Sequence, residues 1–196
     1  MTRDEALALV REFVKNESLV KHMLCVEAAM RFYAEKLAEG AGVLPAEDTE
    51  AWGLPGLLHD FDWEIHPTLE QHPQAGAAIL RERGVSEDII QDILSHADHT
   101  GVPRDTRRRK ALYACDEITG FITAVALVRP SHSLLDLEVS SVKKKWKDKA
   151  FAAGADRAHI EHATADFGVE QWEHVNNVIV AMRGIAPELG LVGNVQ

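Results

Sequence analysis

The sequence predicts an all-α protein, and three observations carry that prediction. Apolar residues recur at intervals of three and four along most of its 196 residues. The alternating, β-branched runs that strands need are missing. Capping residues and glycine or proline stops divide the chain into segments of helical length.

Thr2-Arg3-Asp4-Glu5 reads as a capping box, and Leu7, Val10, Phe13 and Val14 follow at helical spacing. Asn16 and Ser18 offer a second start, for a longer helix from Leu19 through Leu37. Gly40 to Pro45 reads as a loop, and Asp48 or Thr49 as the cap of a helix running into Leu57 and Leu58. Pro55 within that helix predicts a kink or a late start, because it lacks the amide proton. Phe61 to Pro67 is an irregular acidic and aromatic loop. Pro73 suits a first helical position, in a helix that runs to Arg83 and stops at Gly84. Ser86-Glu87-Asp88 opens the next helix, with acidic side chains favourably placed in its first turn, and it runs to His96. Gly101 to Arg109 is a basic connection, and the long apolar helix after it ends at Pro130. Three more helices are expected: Leu134 to Ala153, one capped by Asp156 and ending near Gly168, and Val169 to Ile185.

With 46% apolar and 27% charged residues, the composition suits one soluble domain with a sizeable core. The net charge of −10 argues against general binding to nucleic acid or anionic membranes. Cys25 and Cys115 sit in apolar helical segments and read as buried free thiols of a reducing compartment. No leader-like start or membrane-length apolar run is visible, so a cytoplasmic location is expected. The oligomeric state is not readable.

Chemistry concentrates on His59 and Asp60, side by side after the apolar Leu57-Leu58. Burying an imidazole and a carboxylate there is costly unless both are compensated. A divalent cation compensates both, by accepting the ring lone pair and offsetting the carboxylate charge. The other candidate ligands are His22, His72, His96 and Asp116. Each lies on or at the end of a different predicted helix, as metal ligands do in the cores of helical bundles. Asp116 stands inside an apolar helix and needs a partner. Imidazoles with carboxylates suit one or two ions of the Mn, Fe, Zn, Ni, Co or Mg kind, and the lack of thiolates speaks against a structural zinc knot.

The order His22, His59-Asp60, Asp116 resembles the metal motif of the HD-domain superfamily of helical phosphohydrolases. His72-Pro73-Gln74-Ala75-Gly76 with His96 resembles the extended pattern of its two-metal members, among them HD-GYP-type phosphodiesterases and mixed-valent di-iron oxygenases. The resemblance covers about residues 18–127 and implies an HD-like helical bundle, with extra C-terminal helices (about 131–196) packed on it as part of one domain. It implies that His22, His59, Asp60 and Asp116 bind a first metal. Asp60 would bridge to a second metal held by His72 and His96, and His59 and Asp60 would form the catalytic pair. Phe61-Asp62-Trp63-Glu64 stands where HD-GYP enzymes have Gly-Lys, and no Gly-Tyr-Pro occurs, which argues against cyclic di-GMP hydrolysis.

The resemblance implies hydrolysis of a small phosphate ester or nucleotide by metal-activated water. Arg129, Lys143 and Lys147 are candidates for the phosphate, although the lysine run Lys143-Lys144-Lys145 with Lys147 also reads as a solvated face with Trp146 turned elsewhere. Asp62, Glu64 and Glu117 read equally as water-orienting groups or exposed charges, and His66, His99 and His132 as surface histidines. Two alternatives are a di-iron oxygenase, which the resemblance gives a comparable ligand order, and a non-catalytic nucleotide-binding sensor, which the intact ligand set disfavours.

Overall fold

A computed structural model describes residues 1–38 and 46–194; the expected Gly40 to Pro45 loop lies outside them. Among the described residues the chain is all-helical, without a strand. The helices are α1 (Arg3–Phe13), α2 (Glu17–Ala38), α3 (Ala46–Leu58), α4 (Gln74–Glu82) and α5 (Glu87–Ser95). A 3-10 turn at Asp98–Thr100 leads to α6 (Arg107–Leu127), α7 (Val139–Trp146), α8 (Arg157–Phe167), α9 (Gln171–Gly184) and the single-turn α10 (Ala186–Leu189).

Local chemistry sets most of these boundaries. Thr2 and Glu5 form the reciprocal capping box. Gly84 and Gly168 take the left-handed conformation after α4 and α8, where a side chain would be strained. Asp156 caps α8 by accepting from the amides of Ala158 and His159. Three expectations change. First, α3 begins at Ala46, ahead of Asp48 and Thr49, and carries Pro55 in its interior. Second, α6 takes in Arg107 to Arg109 from the basic connection, because the Thr106 hydroxyl accepts from the Arg109 amide and starts the helix there. Third, Leu134 to Ala153 is not one helix, and only Val139–Trp146 is helical. On its N-terminal side the Ser133 hydroxyl accepts from the Leu135 amide, and Leu134 donates to the Leu191 carbonyl. On the far side the Asp148 carboxylate accepts from the amides of Ala150 and Phe151, a side-chain turn that competes with helix.

Helix α2 is the hub, packing against α3, α6 and α9, while α7 and α8 pack on α6 and α9. One apolar core runs from Ala6 to Leu191, so the C-terminal helices share it with the N-terminal ones. Gly56 decides how closely α3 meets α2. A Cβ there would lie 2.9 Å from the backbone nitrogen of Glu27, so only glycine allows the approach that sets His59 beside His22. Between α5 and α6, the buried Asp92 is paired with Arg108 and Arg109.

Candidate metal centre

The six candidate ligands converge, each from its predicted place in the chain. His22 comes from the first half of α2, Asp116 from mid-α6, and His59 and Asp60 from the end of α3. His72 precedes α4 and His96 caps the C-terminus of α5.

They form two clusters. In the first, His22 Nε2 lies 3.0 Å from Asp116 Oδ1, 3.2 Å from His59 Nε2 and 3.8 Å from Asp60 Oδ2. His59 Nε2 lies 3.5 Å from both Asp60 Oδ2 and Asp116 Oδ1. In the second, His72 Nε2 lies 3.2 Å from His96 Nε2 and 3.3 Å from Asp60 Oδ1, and His96 Nε2 lies 3.6 Å from that same oxygen. Asp60 therefore belongs to both clusters, with one oxygen turned toward each. Bonds of ~2.1 Å to a shared ion would put neighbouring ligand atoms ~3.0 Å apart at right angles and ~3.4 Å apart at the tetrahedral angle. These spacings match, so each cluster has the geometry to hold a metal ion.

The far nitrogen of every ring is occupied. His59 Nδ1 donates to the Gly56 carbonyl (2.9 Å), His96 Nδ1 to the Ile93 carbonyl (2.5 Å), and His72 Nδ1 to Asp62 (2.7 Å). His22 Nδ1 donates to Thr119 Oγ1 (3.4 Å), whose own proton is committed to the Asp116 carbonyl (2.7 Å). These partners fix the tautomers, so that four Nε2 lone pairs and two carboxylates point at one another. Such a cluster repels itself unless positive charge enters it.

The acid–base behaviour of the groups says the same. Burial works against a charged His59, yet Asp60 and Asp116 outweigh it and raise its pKa to about 9. His72 is likewise raised to about 9 against its burial, by Asp60 and Asp62. Burial would raise both Asp60 and Asp116, but the histidines, His59 foremost, hold each carboxyl below its usual range. His96 moves down, first through burial and then through repulsion from His59. Cation-seeking carboxylates and rings that compete for the same protons are what a metal would satisfy.

Solvent reaches the centre from one side. Side-chain exposure is 19% for Asp60 and 22% for both His22 and Asp116, whereas that of His59, His72 and His96 is 0–7%. Among the described residues, that edge is where a ligand meets the most exposed of the six side chains.

The remaining expectations sort differently. Arg129 is not brought to the centre: it follows the end of α6, and Asp136 holds its guanidinium at 2.7 Å. From Asp116, the residues to Leu127 alone span ~17 Å of helix. Lys143 places its ammonium over the Trp172 ring, at 4.9 Å, and Lys147 is exposed at the end of α7. Trp146 packs edge-on against Phe121 and against Trp172, the ring that carries Lys143. Glu64 is exposed and accepts from the amides of Lys15 and Asn16, which ties the α1–α2 corner. Glu117 accepts from the Asp156 amide. His99 and His132 are exposed and His66 is half-buried; His99 also donates to the His72 carbonyl.

Sequence reasoning missed the orienting role of Asp62. It is fully buried and takes the Gly76 amide (2.9 Å) as well as His72. Gly76 is required, since a Cβ there would fall 2.5 Å from the Asp62 carboxyl carbon. Thr119 was missed too. Comparison with models of known families, with curated proteins and with solved structures found no match. No described helix is long and apolar enough to cross a membrane.

Proposed function

We propose that the two clusters bind two divalent cations and that the protein hydrolyses a phosphate ester there. The observation that carries the reading is the double use of Asp60: one oxygen faces His22 and His59, the other faces His72 and His96. Two ions so close suit a reaction in which charge develops on both the attacking and the leaving oxygen, as in phosphoryl transfer to water. The chain order of the ligands resembles that of two-metal HD-domain phosphohydrolases, which supports the same chemistry.

Bound ions of this class lower the pKa of a coordinated water from about 16 toward about 7 and polarise a phosphoryl oxygen. The chain's own residues do the rest. His22, His59, Asp60 and Asp116 would hold the first ion, and His72 and His96, with Asp60, the second. Gly56, Ile93, Thr119 and Asp62 keep the rings aimed, so little reorganisation is needed on binding. The open edge at Asp60, His22 and Asp116 admits the substrate, while the buried rings keep water from the far side. In the net reaction a water oxygen bonds to phosphorus and the phosphorus–oxygen bond to the alcohol breaks. One water proton ends on the alcohol and the other on phosphate.

The test is metal content by mass spectrometry on protein purified without a nickel column, read beside phosphate release from a phosphomonoester panel. We expect close to two ions per chain and hydrolysis that needs Mn²⁺ or Co²⁺ and stops with chelator. Metal-loaded protein that is inert on the panel but consumes oxygen with an organic substrate would move the reading to a di-iron oxygenase.

A further inference from the structure

A cavity of about 320 Å³ opens directly beside the metal centre, sharing His22 as a wall. It lies between α2, α6 and the C-terminal turn around α10. Its volume sits at the lower end of the ~300–1,000 Å³ range of small-molecule sites. Leu127 from α6, Leu189 and Leu191 from the C-terminal turn and the buried Cys25 from α2 make much of the lining apolar, and Ser18 and Thr123 add hydroxyls. One cation lines it, the half-buried Lys21, which has no carboxylate within salt-bridge distance among the described residues.

The rim holds a further clue. Gly120 follows Thr119, the residue that orients His22, and stands in the interior of the longest apolar stretch of α6. Glycine there weakens a helix relative to alanine. Packing does not require it, since a Cβ at Gly120 would meet no atom within 4 Å. Gly120 is exposed to solvent and lines the cavity at its rim, one helical turn from Asp116. A group bound at the centre's open edge can therefore extend over Gly120 toward Leu127.

We infer that the substrate is a phosphomonoester of an apolar alcohol, with its phosphate at the open edge of the metal centre and its hydrocarbon part in this cavity. The inference rests on the phosphohydrolase reading and narrows it. The three leucines leave a sugar or a base few partners beyond the Ser18 and Thr123 hydroxyls and Lys21, and burying its remaining polar groups unpaired would weaken binding. Hydrolysis transfers phosphorus from the apolar alcohol's oxygen to a water oxygen and releases the alcohol with one water proton, leaving inorganic phosphate.

The test uses full-length, Mn²⁺-loaded protein and the series ethyl, butyl and octyl phosphate, with octylphosphonate as a non-hydrolysable probe followed by calorimetry. We expect KM to fall at least ~10-fold from ethyl to octyl, well short of the ~4-fold per methylene that full burial would give. Gly120→Leu places a bulky apolar side chain at the cavity rim without a backbone clash and should collapse the octyl-to-ethyl preference and weaken octylphosphonate binding ~10-fold or more. Leu127→Glu, at the half-exposed end of α6, is the second variant and should do the same. Metal content of both variants checks that the fold survives.

Hydrolysis with a flat KM series, or a preference that both variants leave intact, overturns the cavity assignment and leaves the phosphohydrolase reading standing. Absence of hydrolysis, with octylphosphonate bound and then weakened by both variants, keeps the cavity and overturns the hydrolase. If nothing is hydrolysed and octylphosphonate does not bind, both fall.

Discussion

His59, just past the end of α3, and His174, on α9, are both fully buried, and the fold treats them in opposite ways. His174 has each ring nitrogen satisfied: Nε2 donates to the Ala114 carbonyl at 2.9 Å, and Nδ1 accepts from the Tyr33 hydroxyl at 2.6 Å. Burial holds its pKa down at about 4, so it stays neutral. His59 has one nitrogen satisfied by Gly56, and the other faces His22, Asp60 and Asp116. Burial alone therefore does not mark a ligand. The mark is a ring whose second nitrogen is aimed at other acceptors.

On that distinction, the largest effect comes from Asp60, where both clusters meet. Asp60→Ala should remove metal from both, because it leaves three protein ligands on one side and two on the other. The loss of affinity should exceed the ~10–100-fold associated with an outer-shell partner. His96→Ala should release one ion and leave the other, held by His22, His59, Asp60 and Asp116. Metal stoichiometry of the two variants decides the matter. Two ions retained in His96→Ala, with unchanged activity, would make His96 a helix-end histidine with no role at the centre.

A smaller effect is expected one step out. Asp62→Asn keeps the size of the side chain but weakens its hold on the His72 proton. Metal affinity at the second cluster should drop ~10–100-fold while the first is untouched. Thr119→Val should do the reverse, loosening His22 and the first cluster alone. Titration of each variant with Mn²⁺ reads both sites. Equal loss at both clusters in either variant would show that the orienting contacts act through the fold as a whole.

What the sequence disclosed follows from the range of the interactions involved. Caps such as Thr2 and Asp156 act within a turn, so the helix starts they specify are visible in a few residues. The six ligands stood out because charged or titratable groups inside apolar segments need partners, and helical order alone brings such groups to a bundle's core. Asp62 gave no such sign, since its partner His72 is held across an irregular loop whose path no periodicity reveals. The Leu134 to Ala153 segment misled because Leu134, Leu137 and Val142 keep helical spacing although the first two are buried from a non-helical segment. Arg129 and Lys143 were drawn toward the phosphate by charge alone, and tertiary partners claim both: Asp136 and the Trp172 ring. His174 was readable in principle, because it shares the buried stripe of α9 with Val175, Val178 and Met182.

The smallest effect on metal is expected at His174 itself, and there the comparison predicts a stability effect instead. Its folded pKa of about 4 lies below the ~6.5 of an unfolded histidine. Below pH 6.5 the unfolded chain takes up a proton that the folded chain refuses. The stability that depends on neutral His174 is thus fully present above pH 6.5 and is lost progressively as pH falls toward 4. In full the loss is about 3 kcal/mol at ~1.4 kcal/mol per pH unit. His174→Gln can still accept from Tyr33 and donate to Ala114 but cannot titrate, so its stability should fall less steeply over that window. Urea denaturation of metal-free wild type and variant, at steps from pH 7 to pH 4, isolates this one group as the difference between two curves. Parallel curves would mean that His174 charges inside the fold. Retained metal stoichiometry at pH 7 in His174→Gln would complete the contrast, because the same substitution at His59 should empty the first cluster.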